Sequence, residues 1–444
     1  MTASQTEELF AGQDPVELMS ECPVFQVGNY ADTVVVLRSK DVINPAYLFA
    51  GAHLDRSGLA ERTVDDYIGG AFLFTDGEKH RGRRKLLNQL VRPAALDQFR
   101  DDVIAPQADA LLRHRLARPS ADGKYRLELM EFSDQVFLHF AAKMVGLVGV
   151  DTPEQIQQLK ELVFPLNVAT TSLFAPDRRS VLDNADAAKT RYIEQFYQPS
   201  LDAYRAMLKE VELGNMAAED VPITFIGFVA RGEHPDYADQ ELAIRESMLL
   251  FMTSVGTSTQ GITTTVSDLS KWFVEHPEDY HLRTDYTFLL HSMQESFRLW
   301  APPTAYLMRQ ACRSFDVNGR EVAQGQEVRI PVPLANRDPK VWGPDADEFN
   351  PHRVPPEGMN RYGIAFGVGE HQCFGLRVVM GSDGTGGSHV RVLQKLFGAG
   401  VRPDPDNPAV AFQQNELTKN SKTVRWMKFP VIFEDWETAA SGEL

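Results

Sequence analysis

Residues 366–375 read Phe-Gly-Val-Gly-Glu-His-Gln-Cys-Phe-Gly, so Gly367, Gly369 and Gly375 crowd around a single cysteine, Cys373. Glycine takes φ > 0 without a Cβ clash, and such a loop can bend sharply and bring bare backbone up to a flat ligand. The apolar stretch LRVVM follows at once and can open a helix. A thiolate placed there would be stabilised by the helix N-terminus and by loop N–H groups, which suits a metal ligand. By itself the cysteine also reads as a small buried hydrophobe.

The chain must supply a core large enough to hold such a loop still. Of 444 residues 43% are hydrophobic, which excludes disorder as a description of the whole. Lys and Arg number 45 against 61 Asp and Glu, a formal charge of −16. That balance argues against nucleic-acid binding, which needs clustered cations over an extended face. The three cysteines, Cys22, Cys312 and Cys373, are too scattered for a disulfide framework or a four-thiolate cluster. The N-terminal MTASQTEELF lacks the basic start and apolar centre of a secretion signal. No stretch approaches about 18 uninterrupted apolar residues. A cytoplasmic protein with no membrane anchor is expected.

No Gly/Ser linker or fixed-period repeat divides the chain, so one large domain over residues 1–444 is expected. Residues 30–38, YADTVVVLR, are short and β-branched and predict an early strand. Helical spacing with charged faces recurs over 80–91, 131–145, 183–211, 240–275 and 286–300. Between 309 and 333 the pattern turns to short β-rich pieces with an Asn318-Gly319 turn signal. Residues 336–361, rich in Pro, Asp, Asn and Gly, form a connection longer than usual. The class is mainly α with small β-sheets.

The ten-residue run resembles the haem-binding signature of the cytochrome P450 family, the haem-thiolate monooxygenases, with Phe366, Gly369, His371, Cys373 and Gly375 on its diagnostic positions. The resemblance implies the cytochrome P450 fold, haem b (iron protoporphyrin IX) as cofactor, and Cys373 as the proximal iron ligand. Thiolate ligation pushes electron density onto the metal and favours O–O cleavage. Glu295 and Arg298, at i, i+3, read alone as a solvated ion pair. The family carries such an E-x-x-R pair upstream of its signature, and Arg353 in DEFNPHR matches the third member, which implies a buried network of the three. His80 and Arg84 lie at i, i+4 in DGEKHRGRRK and read alone as an exposed basic stripe. In the resemblance they hold the haem propionates together with Arg309 and His371, and Arg grips carboxylates bidentately.

The segment LLFMTSVGTSTQGITTT resembles the family's oxygen-side helix. Gly256 in mid-helix costs about 1 kcal/mol relative to Ala, so a packing or ligand reason is expected. The plainer reading of the threonines is back-bonding to their own helix. By resemblance Val255, Gly256 and Thr259 match the motif Ala-Gly-x-acid-Thr, with Thr259 as the hydroxyl that helps deliver protons to dioxygen. Ser258 stands at the acid position, and serine is no comparable acid. Glu246 and Asp268 lie at least ten residues from it, about 15 Å along a helix. Water ordered by Thr259, Ser258 and Gln260 is the expected substitute, or else a tolerance of poor coupling. After the cysteine, where the family continues as a helix, Gly381, Gly384, Gly386 and Gly387 would cost roughly 3–4 kcal/mol, so a break is expected there.

The implied reaction inserts one oxygen atom of dioxygen into an apolar small organic molecule. Electrons are expected from a separate ferredoxin or flavodoxin with its reductase, because the resemblance leaves no length for a flavin domain and no cysteine cluster for an iron–sulfur centre. The basic run Lys79, Arg81, Arg83 and Lys85 is expected to dock that partner. Segments that line the family's substrate pocket contribute Phe72, Phe74, Phe164, Leu166, Phe174, Met252, Tyr306 and Leu307. A peroxide-driven peroxygenase or a haem-thiolate isomerase is the alternative that the missing acid favours. A haem-based sensor is the reading from a different class.

Overall fold

The computed structural model describes residues 22–45, 65–169, 177–301, 306–382, 385–412 and 422–441. In chain order the helices that frame the site are α1 (Tyr30–Arg38), α2 (Gly77–Leu87), α3 (Leu129–Val145), α4 (Pro153–Ala169), α5 (Gln240–Glu275), α6 (Tyr286–Trp300), α7 (Leu376–Met380) and α8 (Ser388–Gly398). The 36-residue α5 starts where the Asp239 side chain accepts from the N–H groups of Glu241 and Leu242. It is buried along most of its length, and α3, α4 and α6 all pack on it. Residues Arg178–Tyr192 and Gln198–Glu212 are helical on either side of a wider turn at Ile193–Tyr197.

The predicted strand at 30–38 is α1 instead. The Asn29 side chain caps it by accepting from Asp32 N–H, and Thr33, Val36 and Leu37 turn inward at helical spacing. The cap and that spacing outweigh the β preference of three consecutive valines. Strands β1 (Phe25–Gln26), β2 (Val42–Ile43), β3 (Leu307–Ala311) and β4 (Glu327–Ile330) form a sheet in the order β1-β4-β3-β2. β1 runs parallel to β4, and the other pairs are antiparallel. Asn318 and Gly319 both have positive φ, as the hairpin between Phe315–Val317 and Arg320–Val322 requires.

After the cysteine, α7 stops at Met380. A short hairpin, β5 (Gly381–Ser382) with β6 (Thr385–Gly386), intervenes before α8. The Ser388 hydroxyl donates to Val378 C=O, a carbonyl that an unbroken helix would have satisfied through its backbone. Near the C-terminus β7 (Val410–Ala411) pairs with β8 (Trp426–Lys428). One core lies around α3, α5, α6 and α8, and a smaller one lies under the four-stranded sheet. The segment leading to Cys373 bridges them, with Ile364 in the smaller core and Phe366 in the larger. Among the described residues no helix is long and apolar enough to cross a membrane.

Candidate functional site

The cysteine loop is a set of tight turns. Gly367 N–H donates to Ile364 C=O, Gln372 N–H to Gly369 C=O and Cys373 N–H to Phe366 C=O at 2.7 Å. Gly369, at φ +83°, faces the backbone of α1, and a Cβ there would stand 2.8 Å from Leu37 O. Only glycine fits both the conformation and the contact. Cys373 is solvent-accessible. Burial pushes its thiol pKa up, while the N–H groups of Gly375 and Leu376 and the Arg84 guanidinium pull it back.

Behind the loop stands the ion-pair network of α6. Arg298 donates to both oxygens of Glu295 at 2.8 Å, and Arg353 Nε donates to Glu295 Oε1 at 2.8 Å. Their remaining donors reach the carbonyls of Asn336, Ala346, Asp345 and Glu348. All three side chains are buried, so this is a clamp on the 336–353 segment and not a solvated pair. Asn336 in turn accepts from Ile364 N–H through its side chain, and so passes the clamp to the start of the cysteine loop.

Four donor side chains gather on the other side of the loop. The rings of His80 and His371 stand 4.4 Å apart, and His371 Nε2 lies 2.9 Å from Asp76 Oδ1. Asp76 also lies in the field of Arg309, whose guanidinium donates, among the described residues, to the neutral oxygens of Asn44 and Met308. Burial pulls Arg309 down to about 10. Arg84 donates to Asn88 Oδ1 and lies over the Phe374 ring at 5.4 Å. Among the described residues the Nδ1 atoms of His80 and His371 are buried without a hydrogen-bond partner, and Glu370 Oε1 stands 3.6 Å from that of His80. Burial also holds His80 down to about 4. A buried Arg309 with neutral acceptors among the described residues, a half-buried Arg84, and imidazole nitrogens without hydrogen-bond partners are groups that a ligand with carboxylates would satisfy.

The family model for Cytochrome P450 matches residues 274–380, a stretch that holds Glu295, Arg298, Arg353 and Cys373. Over that stretch the chain is similar to the cytochrome P450 family. It is 34% identical over 113 residues to Cytochrome P450 714C2 of Oryza sativa subsp. japonica, an alignment covering 23% of this chain and 21% of that one. The chain thus spans about a fifth of the length of the plant relatives it matches. A longer alignment, 23% identical over 359 residues, covers 80% of this chain and 78% of the Biotin biosynthesis cytochrome P450 of Bacillus subtilis (strain 168). Over 97% of this chain and 98% of the other, the fold superposes with a TM-score of 0.66 and 17% identity on P450BioI, solved with an acyl carrier protein ligated to hexadec-9Z-enoic acid.

The similarity to that family points to a haem-iron cofactor, and the residues fit one. Cys373 offers a sulfur flanked by N–H donors, and His80, Arg84, Arg309 and His371 offer donors for two carboxylates.

On α5 the phase of the helix separates residues that a P450 motif groups together. Thr253 and Gly256 are exposed and Met252 and Thr257 half-buried, forming one open side. Thr259, about 200° round the helix from Thr257, is buried and donates to Asp134 Oδ1 of α3 at 2.7 Å. Asp134 also pairs with Lys160 of α4 at 3.3 Å. Ser258 is buried too, and Gln260 exchanges two 2.8 Å bonds with the backbone of Trp426. The turn of helix carrying Ser258 and Thr259 therefore packs against protein, and Thr257 is the hydroxyl beside Gly256 on the open side. Thr257 donates to Thr253 C=O at 2.6 Å.

The expected pocket residues scatter. Phe74 and Leu166 are core, Phe72 is buried against His80, and Phe164 is exposed. Met252, Tyr306 and Leu307 are half-buried, and Phe174 lies outside the described residues. The basic run needs a correction as well. Arg83 is wholly buried, donating to Asp236 at 2.8 and 2.6 Å, and Arg81 pairs with Glu370 at 3.2 Å. Sequence spacing gave no sign of Asp134, Asp236 or Glu246 as partners, because each sits on a distant element.

Proposed function

We propose that the protein is a cytoplasmic haem-thiolate monooxygenase that inserts one oxygen atom of dioxygen into an apolar small organic molecule. Haem b would be held through Cys373, with its propionates on His80, Arg84, Arg309 and His371. Thiolate-ligated haem supplies the activation of dioxygen. The observation that supports this reading is that Cys373, with Arg84 in its field, shares one site with His80, His371 and a buried Arg309 whose described hydrogen-bond acceptors are neutral.

The chain's own contribution is positional. Phe366, packed 5.7 Å from Phe297 of α6, and Gly369, Gly375 and the N–H groups beyond them fix the sulfur and moderate its basicity. Gly256 leaves room over the open side of α5, where a Cβ would meet nothing within 4 Å. Thr257 takes the role of the hydroxyl that hands a proton towards the reacting centre, and Ser258 and Thr259 hold that turn in place. Met252, Tyr306 and Leu307 supply apolar contact for the substrate. The fatty-acyl cargo bound to P450BioI supports an apolar substrate.

Electrons would come from a separate ferredoxin or flavodoxin with its reductase, docked on Lys79 and Lys85, with Arg83 removed from that set. The open side of α5 carries hydroxyls and no carboxylate at 252–257, which favours peroxide-driven turnover as a second reading. Product formed with peroxide and none with reductant would select it.

The test is the ferrous carbonyl spectrum of haem-loaded protein. The expected result is the red-shifted Soret band of thiolate ligation, lost in Cys373→Ser. A histidine-type band in fresh wild-type protein overturns the proposal. A Thr257→Val variant is expected to form less product per electron consumed, and Thr259→Val to lose stability first.

A further inference from the structure

A second polar cluster lies off the cysteine side of the site. Glu246 of α5 is fully buried. Its carboxylate oxygens accept from the backbone N–H of Phe72 at 3.2 and 3.0 Å, and Tyr237 Oη donates to Oε2 at 3.3 Å. Arg83 Nη1 stands 3.8 Å from Oε2. That guanidinium is already committed to Asp236 and to Gly70 C=O, so one buried cation faces two carboxylates.

What Glu246 holds is a short turn, Phe72–Phe74, closed by Thr75, whose N–H and hydroxyl both donate to Phe72 C=O. The Phe72 ring stacks on His80 with centroids 6.0 Å apart and meets Phe374 edge-on at 5.9 Å. Phe374 is the residue after Cys373. A carboxylate on the central helix is thereby joined, through one backbone amide and one ring, to both the imidazole and the thiolate sides of the site.

We propose that Glu246 is a positioning residue: by holding the Phe72 backbone from α5 it seats the Phe72 ring against His80 and Phe374 and so sets the packing beside Cys373. The proposal rests on the reading of Cys373 and His80 as haem contacts. Burial pushes the Glu246 carboxyl up to about 7 against the pull of Arg83, the Phe72 N–H and Tyr237. The other groups facing it are Asp236 from the Pro235–Ala238 turn and, behind Asp236, His234 and Lys79. Protonation near neutrality weakens the acceptor for Phe72 N–H and leaves Arg83 to Asp236 alone.

Amide hydrogen exchange at Phe72 tests the anchor, and the ferric absorption spectrum tests what it positions. In Glu246→Gln, protection of the Phe72 amide is expected to fall by about tenfold or more while the amides of α3 keep theirs. Haem-loaded Glu246→Gln and Phe72→Ala are expected to share a shifted balance of spin states. In wild-type protein that balance should titrate with a midpoint near 7, and in Glu246→Gln the titration should vanish. Should Glu246→Gln not fold, Glu246→Asp keeps the charge at shorter reach and is expected to lower Phe72 protection alone. Unchanged Phe72 protection in both variants overturns the anchor. Lost protection with an unchanged spectrum and pH profile overturns the positioning. Wild-type protein that takes up no haem overturns the functional reading and this proposal with it.

Discussion

Gly256 and Gly261 stand five residues apart on α5 and answer to opposite constraints. A Cβ on Gly256 would meet nothing within 4 Å, whereas one on Gly261 would lie 2.6 and 2.8 Å from atoms of the Phe297 ring. Gly256→Ala should therefore raise stability by up to about 1 kcal/mol while weakening apolar ligand binding, read as thermal midpoint and spectral titration. Gly261→Ala should cost about 1–3 kcal/mol through overpacking against α6. Buried titratable groups give a second prediction. His389, packed on Phe137 at 4.5 Å with Nε2 unpartnered, is held down to about 3 by burial. The unfolded chain protonates this histidine near pH 6.5, so it takes up a proton that the folded state refuses, and stability falls as pH drops below that value. Asp268 is pushed up to about 6 by burial, against the hydroxyl of Ser296 and the indole of Trp300. It acts in reverse, so stability falls as pH rises from about 4 towards 6. Urea midpoints at pH 6.5 and 4.5 should show a smaller acid loss in His389→Phe and a larger one in Asp268→Asn. The glycine-flanked cysteine loop was legible from its own residues, whereas the grouping of His80, Arg84, Arg309 and His371 came from the family resemblance alone, their spacing reading as an exposed basic stripe. The burial of Ser258 and Thr259 was not legible, since the side of a helix that faces protein does not follow from a short motif.

Elements that bury one stripe against a core announced themselves, and the bounds of α5 and α6 followed from periodicity. Residues 30–38 did not, because a β-branched helix of nine residues is decided by its Asn29 cap and by the sheet it packs under. The interruption after Met380 was readable from its glycines, and the hairpin that fills it was not, because two-residue strands carry no pattern. At this scale the Glu295 clamp makes the firmest prediction. Glu295→Gln would leave the guanidiniums of Arg298 and Arg353 buried without a full counter-charge, at a cost of about 3–5 kcal/mol. The variant should unfold at lower denaturant, and what survives should retain haem poorly, since the 336–364 segment would no longer fix the cysteine loop.

Across the whole molecule, a charge of −16 makes a local cationic surface conspicuous to an acidic partner. Lys79→Glu and Lys85→Glu should each slow turnover with a ferredoxin several-fold at low salt and converge on wild-type rates at high salt. A comparable change at Arg83 should instead unfold the protein, and stopped-flow reduction across ionic strengths separates the two outcomes. The reciprocal pair between Gln260 and Trp426 reaches further. One side-chain amide offers β8 the donor and acceptor that a neighbouring strand would have offered, so the central helix itself serves as the outer rung of that hairpin. The position of Trp426 is thus tied to the helix. A shift of Trp426 by one residue would break both bonds at once.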